Sequence, residues 1–152
     1  MEGNGTPRAD RDRAGWDSPV TDDNKRSAVA SELARADESL RAAELLVGAG
    51  LLHDAESRLY YAVYHAAVAL LLTEDLQPRS HAGVASLFGL HFVKTGRIDA
   101  EDGRLLLRMQ KYRIEADYGR DFVLTEPALN EDLVACRGFI DRVRRIIASI
   151  GY

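Results

Sequence analysis

Two short polar segments of this 152-residue chain carry the residue types that could do chemistry. Residues 111–119 read KYRIEADYG and combine basic and acidic residues with two tyrosines. Residues 54–65 read DAESRLYYAVYH and lead into a stretch rich in Ala and Leu. Arginine holds phosphate through charge-assisted hydrogen bonds, and histidine exchanges protons near neutral pH. The two segments therefore favour binding or cleavage of a phosphodiester.

Arg113 is the candidate for holding the phosphate. Its guanidinium stays protonated, so it can stabilise a charged phosphorane but is a poor base. A competing interpretation is an exposed pair with Asp117, four residues later, which would contribute only about 0.3–0.5 kcal/mol. Tyr118 is the neighbouring candidate for proton transfer, although tyrosine ordinarily titrates near pH ~10 and suits this role less well than histidine. Its competing role is to pack against the turn at Gly119.

A line of polar residues is predicted along one face of the second segment. Asp54, Arg58, Tyr61 and His65 stand at i, i+4, i+7 and i+11. On a helix with ~100° per residue they fall within about 40° of one another. Packing alone does not require such a line on an otherwise apolar helix, so we interpret it as a functional face.

Helices must position these residues, because no alternating run rich in Val, Ile and Thr indicates a strand. Apolar residues recur at steps of three and four, which predicts an all-α bundle. Ser80, Asp99 and Thr125 are the expected N-caps, and glycines are expected to end the first and fourth helices. The predicted helices run from about Asn24 to Val47, Asp54 to Thr73, His81 to Lys94 and Ala100 to Tyr118, and the fifth begins at Thr125-Glu126-Pro127.

The chain is expected to contain one folded domain, residues 24–152, after a flexible tail, residues 1–23. The tail carries Trp16 and Val20 as its only large apolar side chains, which is too little to offset the entropy of ordering it. The long apolar helices, the second one above all, offer more surface than one chain of this size covers. A homodimer whose interface includes the second and fourth helices is therefore predicted.

Composition limits the class of protein. The longest purely apolar run, Ala66–Leu72, is far short of the ~20 residues that a membrane span needs. A single cysteine, Cys136, excludes an internal disulfide and favours the cytoplasm, and its place on an apolar stripe favours a buried, inert thiol. The histidines show no zinc-binding spacing, so we expect neither a metal nor a cofactor.

Charge is distributed unevenly along the chain. The net charge of −4 gives no general attraction to nucleic acid. Between residues 104 and 120, however, five basic residues face two acids, a local excess of three positive charges. Such a strip can serve a local phosphate site, and a solvated helix face would look the same. The basic residues are Arg104, Arg108, Lys111, Arg113 and Arg120.

Four motifs in order resemble those of the HEPN domain family, in its small stand-alone prokaryotic branch. The resemblance covers roughly residues 24–150. It rests on Ser57-Arg58-Leu-Tyr60-Tyr61-Ala-Val-Tyr-His65-Ala-Ala, Ser80-His81-Ala-Gly83, Phe92-Val-Lys-Thr-Gly96 and Arg113-Ile-Glu-Ala-Asp117-Tyr118.

This resemblance implies a four- to five-helix bundle that dimerises around a cleft. Many members are metal-independent ribonucleases and form the toxin half of a toxin–antitoxin pair with a minimal nucleotidyltransferase. Their motif is an arginine followed, after four to six residues, by a histidine. Here Arg113 is followed by Tyr118, and no histidine occurs after His91. Some toxin relatives carry a tyrosine in this motif that the partner nucleotidyltransferase modifies.

The resemblance leads to two main hypotheses for function. In the first, the chain is an endoribonuclease toxin with Arg113, Tyr118 and His65 as catalytic residues, His65 replacing the missing base. In the second, it is a catalytically silent dimer that binds a nucleotide, RNA or a nucleotidyltransferase partner through the same cleft. A purely structural adaptor explains the polar line poorly. The expected RNA- or phosphate-binding residues are Arg58, Tyr61, His81, Lys111 and Asp117.

Geometry constrains the first hypothesis. Arg113 and Tyr118, five residues apart, point ~140° away from each other on a straight helix. They share a site only if the helix loosens before Gly119, or if two subunits contribute them across a dimer axis. The resemblance favours the second arrangement.

Overall fold

Five α-helices follow one another with short connections, as the apolar periodicity predicts. The computed structural model describes residues 22–119 and 123–152, and this part of the chain contains no strand. The all-α prediction is confirmed. The predicted tail lies outside the described residues apart from Asp22 and Asp23, which already belong to the first helix. The helices are α1 (Asp22–Gly48), α2 (Leu52–Thr73), α3 (His81–Phe88), α4 (Ala100–Tyr118) and α5 (Glu126–Ile150).

Two of the three predicted caps are confirmed. The Ser80 hydroxyl accepts a hydrogen bond from the Gly83 amide at 3.0 Å, and the Thr125 hydroxyl accepts one from the Ala128 amide at 3.3 Å. Each satisfies an amide that the first helical turn leaves unpaired. The prediction for Asp99 is wrong in its mechanism, since its side chain makes no capping hydrogen bond. It precedes α4 with extended backbone, and its carbonyl accepts from the Asp102 amide at 3.0 Å.

The predicted third helix, His81 to Lys94, is not one regular α-helix. α3 ends at Phe88, and Gly89–Val93 form a wider π-helical turn. Phe88 and Phe92 both remain fully buried. The chain then reverses toward α4 through Gly96, at a φ of +74° that favours glycine. The wider turn lies between the buried Phe88 and the reversal at Gly96. The spacing of apolar residues does not predict such a turn.

α2 lies at the centre of the bundle and packs against the other four helices. Its apolar side chains, among them Leu59, Val63 and Leu70, are fully buried by the same chain. The apolar surface of α2, which was predicted to contact a second subunit, is therefore already covered within one chain. The exposed apolar residues of α4 lie on one face instead, at spacings of seven and four residues. They are Leu107, Ile114 and Tyr118, the exposed stripe of α4.

A buried ion pair fixes α4 against α5. The Asp102 carboxylate is 2% exposed and accepts hydrogen bonds from Nε and Nη2 of Arg142, the shortest at 2.6 Å. A buried carboxylate without such a partner would be strongly destabilising. The pair therefore helps to set the position of α4, the helix that carries Arg113.

Three further findings concern the described residues. Cys136 is buried, as predicted, and burial raises the pKa of its thiol, so it is inert. None of the described helices is long and apolar enough to span a membrane. Within residues 22–119 and 123–152, no three or more His, Cys, Asp or Glu side chains gather in a group that could hold a metal ion.

Candidate functional site

The polar line of α2 borders a group of rings contributed by α2 and the start of α3. We name Tyr60, Tyr61, Tyr64, His65 and His81 the tyrosine–histidine cluster. Tyr64 is at its centre, with ring centroids 4.5 Å from His81 and 5.2 Å from His65. The helical spacing of the four α2 residues and the Ser80 cap of α3 bring the rings together. The cluster thus unites His65, Tyr61 and His81, three of the residues predicted from sequence.

Arg113 of α4 lies against this cluster. Its Cζ is 5.6 Å from the Tyr60 ring centroid and 5.4 Å from that of Tyr61. The Asp117 carboxylate is 3.7 Å from Nε, and the buried Nε makes no hydrogen bond within the described part of the chain. The pair with Asp117 that the competing interpretation predicts is therefore present, with 25% of the Arg113 side chain and 37% of the Asp117 side chain exposed. Arg113 is in addition a cation held against two aromatic rings.

Arg58 approaches the same ring system from α2. Its Cζ is 4.8 Å from the Tyr61 centroid, so two guanidinium groups contact one tyrosine. Arg58 also lines a cleft of about 230 Å³ between α1 and α2, which we name the α1–α2 cleft. His65 and Ser39 line it as well, together with a second arginine, Arg35. Positive charge and aromatic rings thus alternate along one surface, a pattern suited to single-stranded nucleic acid.

His81 is held as a neutral imidazole. The Tyr60 hydroxyl is 2.6 Å from His81 Nδ1. Burial lowers the pKa of His81, and electrostatic interactions with Arg113 and His65 lower it further. Burial raises the pKa of Tyr60, so its hydroxyl stays protonated. A tyrosine hydroxyl both donates and accepts, so this hydrogen bond is compatible with either neutral tautomer of His81.

His65 pairs with a carboxylate, whereas His81 pairs with a tyrosine hydroxyl. Its Nδ1 is 2.7 Å from Oε2 of Glu32, which belongs to α1. Both side chains are less than a fifth exposed, at 18% and 19%. The pair connects the polar line of α2 to α1, and Glu32 is absent from the residues predicted from sequence.

The C-terminal end of α4 does not join the cluster. Tyr118 is 81% exposed, and within the described residues it makes no hydrogen bond or ring contact with the cluster. α4 remains regular to its end, where the Gly119 amide donates to the Glu115 carbonyl at 2.7 Å. The possibility that the helix loosens before Gly119 is therefore wrong. A site that combines Arg113 with Tyr118 requires the copy from a second subunit.

The predicted positive strip on α4 is largely neutralised. Arg104 pairs with Glu101 and Arg108 with Asp132, two acids outside the sequence window that suggested the strip. Lys111 is exposed and lies 3.9 Å from Glu115. Arg120 is outside the described residues. Arg58, in contrast, has no ion-pair partner in the described part of the chain and lies against the Tyr61 ring.

Sequence reasoning missed Glu32, Arg35, Tyr60 and Tyr64. The two tyrosines could have been found, because they flank the polar line in the same quoted motif. Glu32 and Arg35 lie beside the apolar stripe of the first helix, where charged residues are ordinarily solvated. Only the register between α1 and α2 shows that they meet His65 and the cleft.

Comparisons with known proteins agree with this architecture. The HEPN domain family matches residues 30–149. A protein of Methanocaldococcus jannaschii named "Putative toxin MJ0605" is 40% identical over 115 residues, covering 76% of this chain and 85% of the relative. A second protein of that organism, "Putative toxin MJ0142", is 36% identical over 115 residues, 76% of this chain and 78% of its own length. A "UPF0332 protein" of Thermotoga maritima is 35% identical over 116 residues, 76% and 88% of the two chains.

These matches cover most of the bundle and all of the residues of the tyrosine–histidine cluster. They include Arg113 and Tyr118 within residues 30–149. From the extent of the family match, and from relatives at 35–40% identity over most of their length, the chain belongs to the HEPN domain family.

Proposed function

We propose that this HEPN protein is a toxin-like, metal-independent endoribonuclease that binds RNA across the tyrosine–histidine cluster and holds its phosphate with Arg113. The observation that carries the proposal is the placement of Arg113. Its guanidinium rests on Tyr60 and Tyr61, and its buried Nε has no hydrogen-bond partner among the described residues. An arginine held against this cluster, which contains two histidines, matches what phosphodiester cleavage needs.

The cluster supplies the other requirements for RNA. Tyr61 and Tyr64 are only partly buried and offer ring surface to unpaired bases, and two arginines on the Tyr61 ring offer charge for neighbouring phosphates. The His81 ring lies beside both tyrosines and is a further polar group for the RNA. The names of two relatives, which contain the word toxin, agree with a growth-inhibiting activity.

The second candidate function is the catalytically silent dimer that binds RNA, a nucleotide or a nucleotidyltransferase. One observation favours it: Tyr118, which stands where the family motif has histidine, is exposed and outside the cluster. In our proposal the chemistry belongs to the cluster, and the exposed Tyr118 hydroxyl is the group that a nucleotidyltransferase partner modifies.

The deciding experiment is cleavage of single-stranded RNA by the wild-type protein and by Tyr118→Phe, with EDTA present. We expect the wild type to cleave, and Tyr118→Phe to cleave within about twofold of it, because the change removes only a hydroxyl that the cluster does not contact. Modification by the nucleotidyltransferase should be lost in the variant. Tight RNA binding without cleavage by the wild type would support the silent dimer. Lost cleavage with unchanged binding in Tyr118→Phe would assign Tyr118 to the chemistry, across the dimer axis.

We also propose that the protein is a homodimer through Leu107 and Ile114 of the exposed stripe of α4, which leaves the Tyr118 hydroxyl accessible. Exposed apolar side chains on one helix face are typical of a contact surface. Light scattering at micromolar concentration should give about twice the 16.8 kDa chain mass. Ile114→Glu should give a monomer, whereas Val134→Glu, an equally exposed apolar position on α5, should not. A monomeric wild type would contradict the dimer.

A further inference from the structure

We propose that the α1–α2 cleft is a general-base site in which Glu32 orients His65, so that Nε2 of His65 takes the proton from the 2′-hydroxyl of an RNA held there by Arg58 and Arg35. This inference rests on the proposed ribonuclease function and names the residue that performs its first proton transfer. It makes His65 a catalytic residue and Glu32 a positioning residue.

The hydrogen bond to Glu32 determines which nitrogen of His65 is free. A carboxylate at neutral pH has no proton to give, so the 2.7 Å contact requires Nδ1 to be the donor. A neutral imidazole that is protonated at Nδ1 has its lone pair at Nε2. Within the described residues Nε2 has no hydrogen-bond partner. His65 is therefore prepared to accept a proton at Nε2, as in catalytic dyads in which a carboxylate orients histidine.

Glu32 is itself fixed in place. It projects from α1 toward α2, and it is mostly buried against His65. Its other oxygen lies 3.7 Å from Nη1 of Arg35, one turn further along α1. This second contact stabilises the charged carboxylate, which is the form that holds His65 at Nδ1. The dyad is thus positioned by the packing of two helices and not by a mobile loop.

The α1–α2 cleft gives the dyad access to a substrate. Its volume of about 230 Å³ is below the roughly 300–1,000 Å³ of pockets for drug-sized ligands, and it suits a phosphate with its ribose. Arg35 and Arg58 provide donors for the phosphate, and Ser39 provides a hydroxyl. His65 lines the same cleft, so its Nε2 atom and the donors for the phosphate can contact the same ligand.

The chemistry balances without a co-reactant. The 2′-oxygen passes its proton to Nε2 of His65 and forms a bond to phosphorus. The bond from phosphorus to the 5′-oxygen breaks, and that oxygen takes a proton from solvent. The products are a 2′,3′-cyclic phosphate and a free 5′-hydroxyl. His81 lacks this orientation, because its Nδ1 pairs with the Tyr60 hydroxyl and not with a carboxylate.

Nitrogen-15 NMR of the histidine side chains in the full chain tests the orientation without requiring activity. We expect neutral His65 to be protonated at Nδ1 and bare at Nε2. Glu32→Ala should abolish this preference and allow both tautomers. Glu44→Gln is the matched control, since Glu44 is a glutamate of α1 that lies outside the cleft and pairs with Arg137, and it should retain the wild-type signature. A wild-type His65 protonated at Nε2 overturns the proposal.

Cleavage of a labelled single-stranded RNA of mixed sequence tests the function of the dyad, with binding measured on its 2′-deoxy analogue. Glu32→Ala should lower the rate at saturating RNA by about 10- to 100-fold, less than the roughly 100- to 10,000-fold contribution of a general base because His65 itself remains, and leave binding within about twofold. Glu32→Gln, which retains an acceptor, should lie between it and the wild type, and Glu44→Gln should cleave normally. His65→Gln should lose at least as much as Glu32→Ala.

The possible results distinguish the proposed ribonuclease function from the base role of His65. A wild-type protein that cleaves no RNA overturns the proposed ribonuclease function and the base role together. A wild-type protein that cleaves RNA, with Glu32→Ala equally fast, overturns only the base role. Equal losses in Glu32→Ala and Glu44→Gln would also overturn it, because the effect would then be one of negative charge on α1 and not of orientation.

Discussion

Glu56→Gln is expected to stabilise the protein by about 3 kcal/mol above pH ~7 and to change its stability little below pH ~4.5. Glu56 lies on the side of α2 that faces the core and is 0% exposed. Neither carboxyl oxygen has a hydrogen-bond partner in the described part of the chain. A charged carboxylate in that position loses its hydration without compensation.

The direction of the pH dependence follows from the protons bound in each state. The pKa of Glu56 is raised from 4.5 to about 7, chiefly by burial and then by the negative charge of Asp132, while Arg108 opposes the shift. Between these two values the folded protein binds more protons than the unfolded chain. The free energy of unfolding therefore falls as pH rises from about 4.5 to about 7. Glutamine cannot ionise, so the free energy of unfolding of the variant does not fall over this pH range for this reason.

Urea unfolding at about pH 5 and about pH 8 measures the effect, and the difference between wild type and variant should grow with pH. Glu131→Gln is the control, because Glu131 is an exposed acid on the neighbouring part of α5. It removes the same formal charge without removing a buried carboxylate. Parallel pH profiles for wild type and Glu56→Gln would show that Glu56 is hydrated or paired in the folded protein.

Glu56 also shows where sequence reasoning stops. A glutamate in a helix is ordinarily solvated, and nothing in the order of residues 54–58 distinguishes it from its neighbours. The helices themselves, the Ser80 and Thr125 caps and the central place of α2 all follow from periodicity and local hydrogen bonding. These features depend on residues close together in sequence, and they were predicted.

The features that escaped prediction depend on helices meeting in space. The strip on α4 appeared positive because Asp132, which neutralises Arg108, lies 24 residues further along the chain. Glu32 meets His65 across 33 residues, through the register between α1 and α2. The sequence thus predicted that Tyr61, His65 and His81 belong to one candidate site, and the structure brings them together, while the charge balance and the hydrogen-bond partners of that site required the tertiary structure.

Arg113→Ala should lower RNA affinity on the order of tenfold or more while the fold persists. The change removes a charge-assisted contact of a kind that contributes about 1.5–3 kcal/mol. It also removes one phosphate contact, so the affinity for RNA should depend less steeply on salt concentration. Binding curves over a series of salt concentrations, with circular dichroism for the fold, measure both effects. Growth inhibition by the expressed protein should weaken in parallel. Arg104→Ala is the matched control, since Arg104 is an exposed arginine of α4 already paired with Glu101.

Arg113→Lys distinguishes geometry from charge. Lysine restores the positive charge but not the planar fork, and it packs less well on the Tyr60 and Tyr61 rings, so it should rescue binding only in part. Asp117→Asn removes the acid 3.7 Å from Nε and should leave binding unchanged or tighter, because the guanidinium then has no competing anion. If Arg113→Ala binds RNA as well as the wild type, the phosphate site is elsewhere. The ion pair with Asp117 would then be the main role of Arg113.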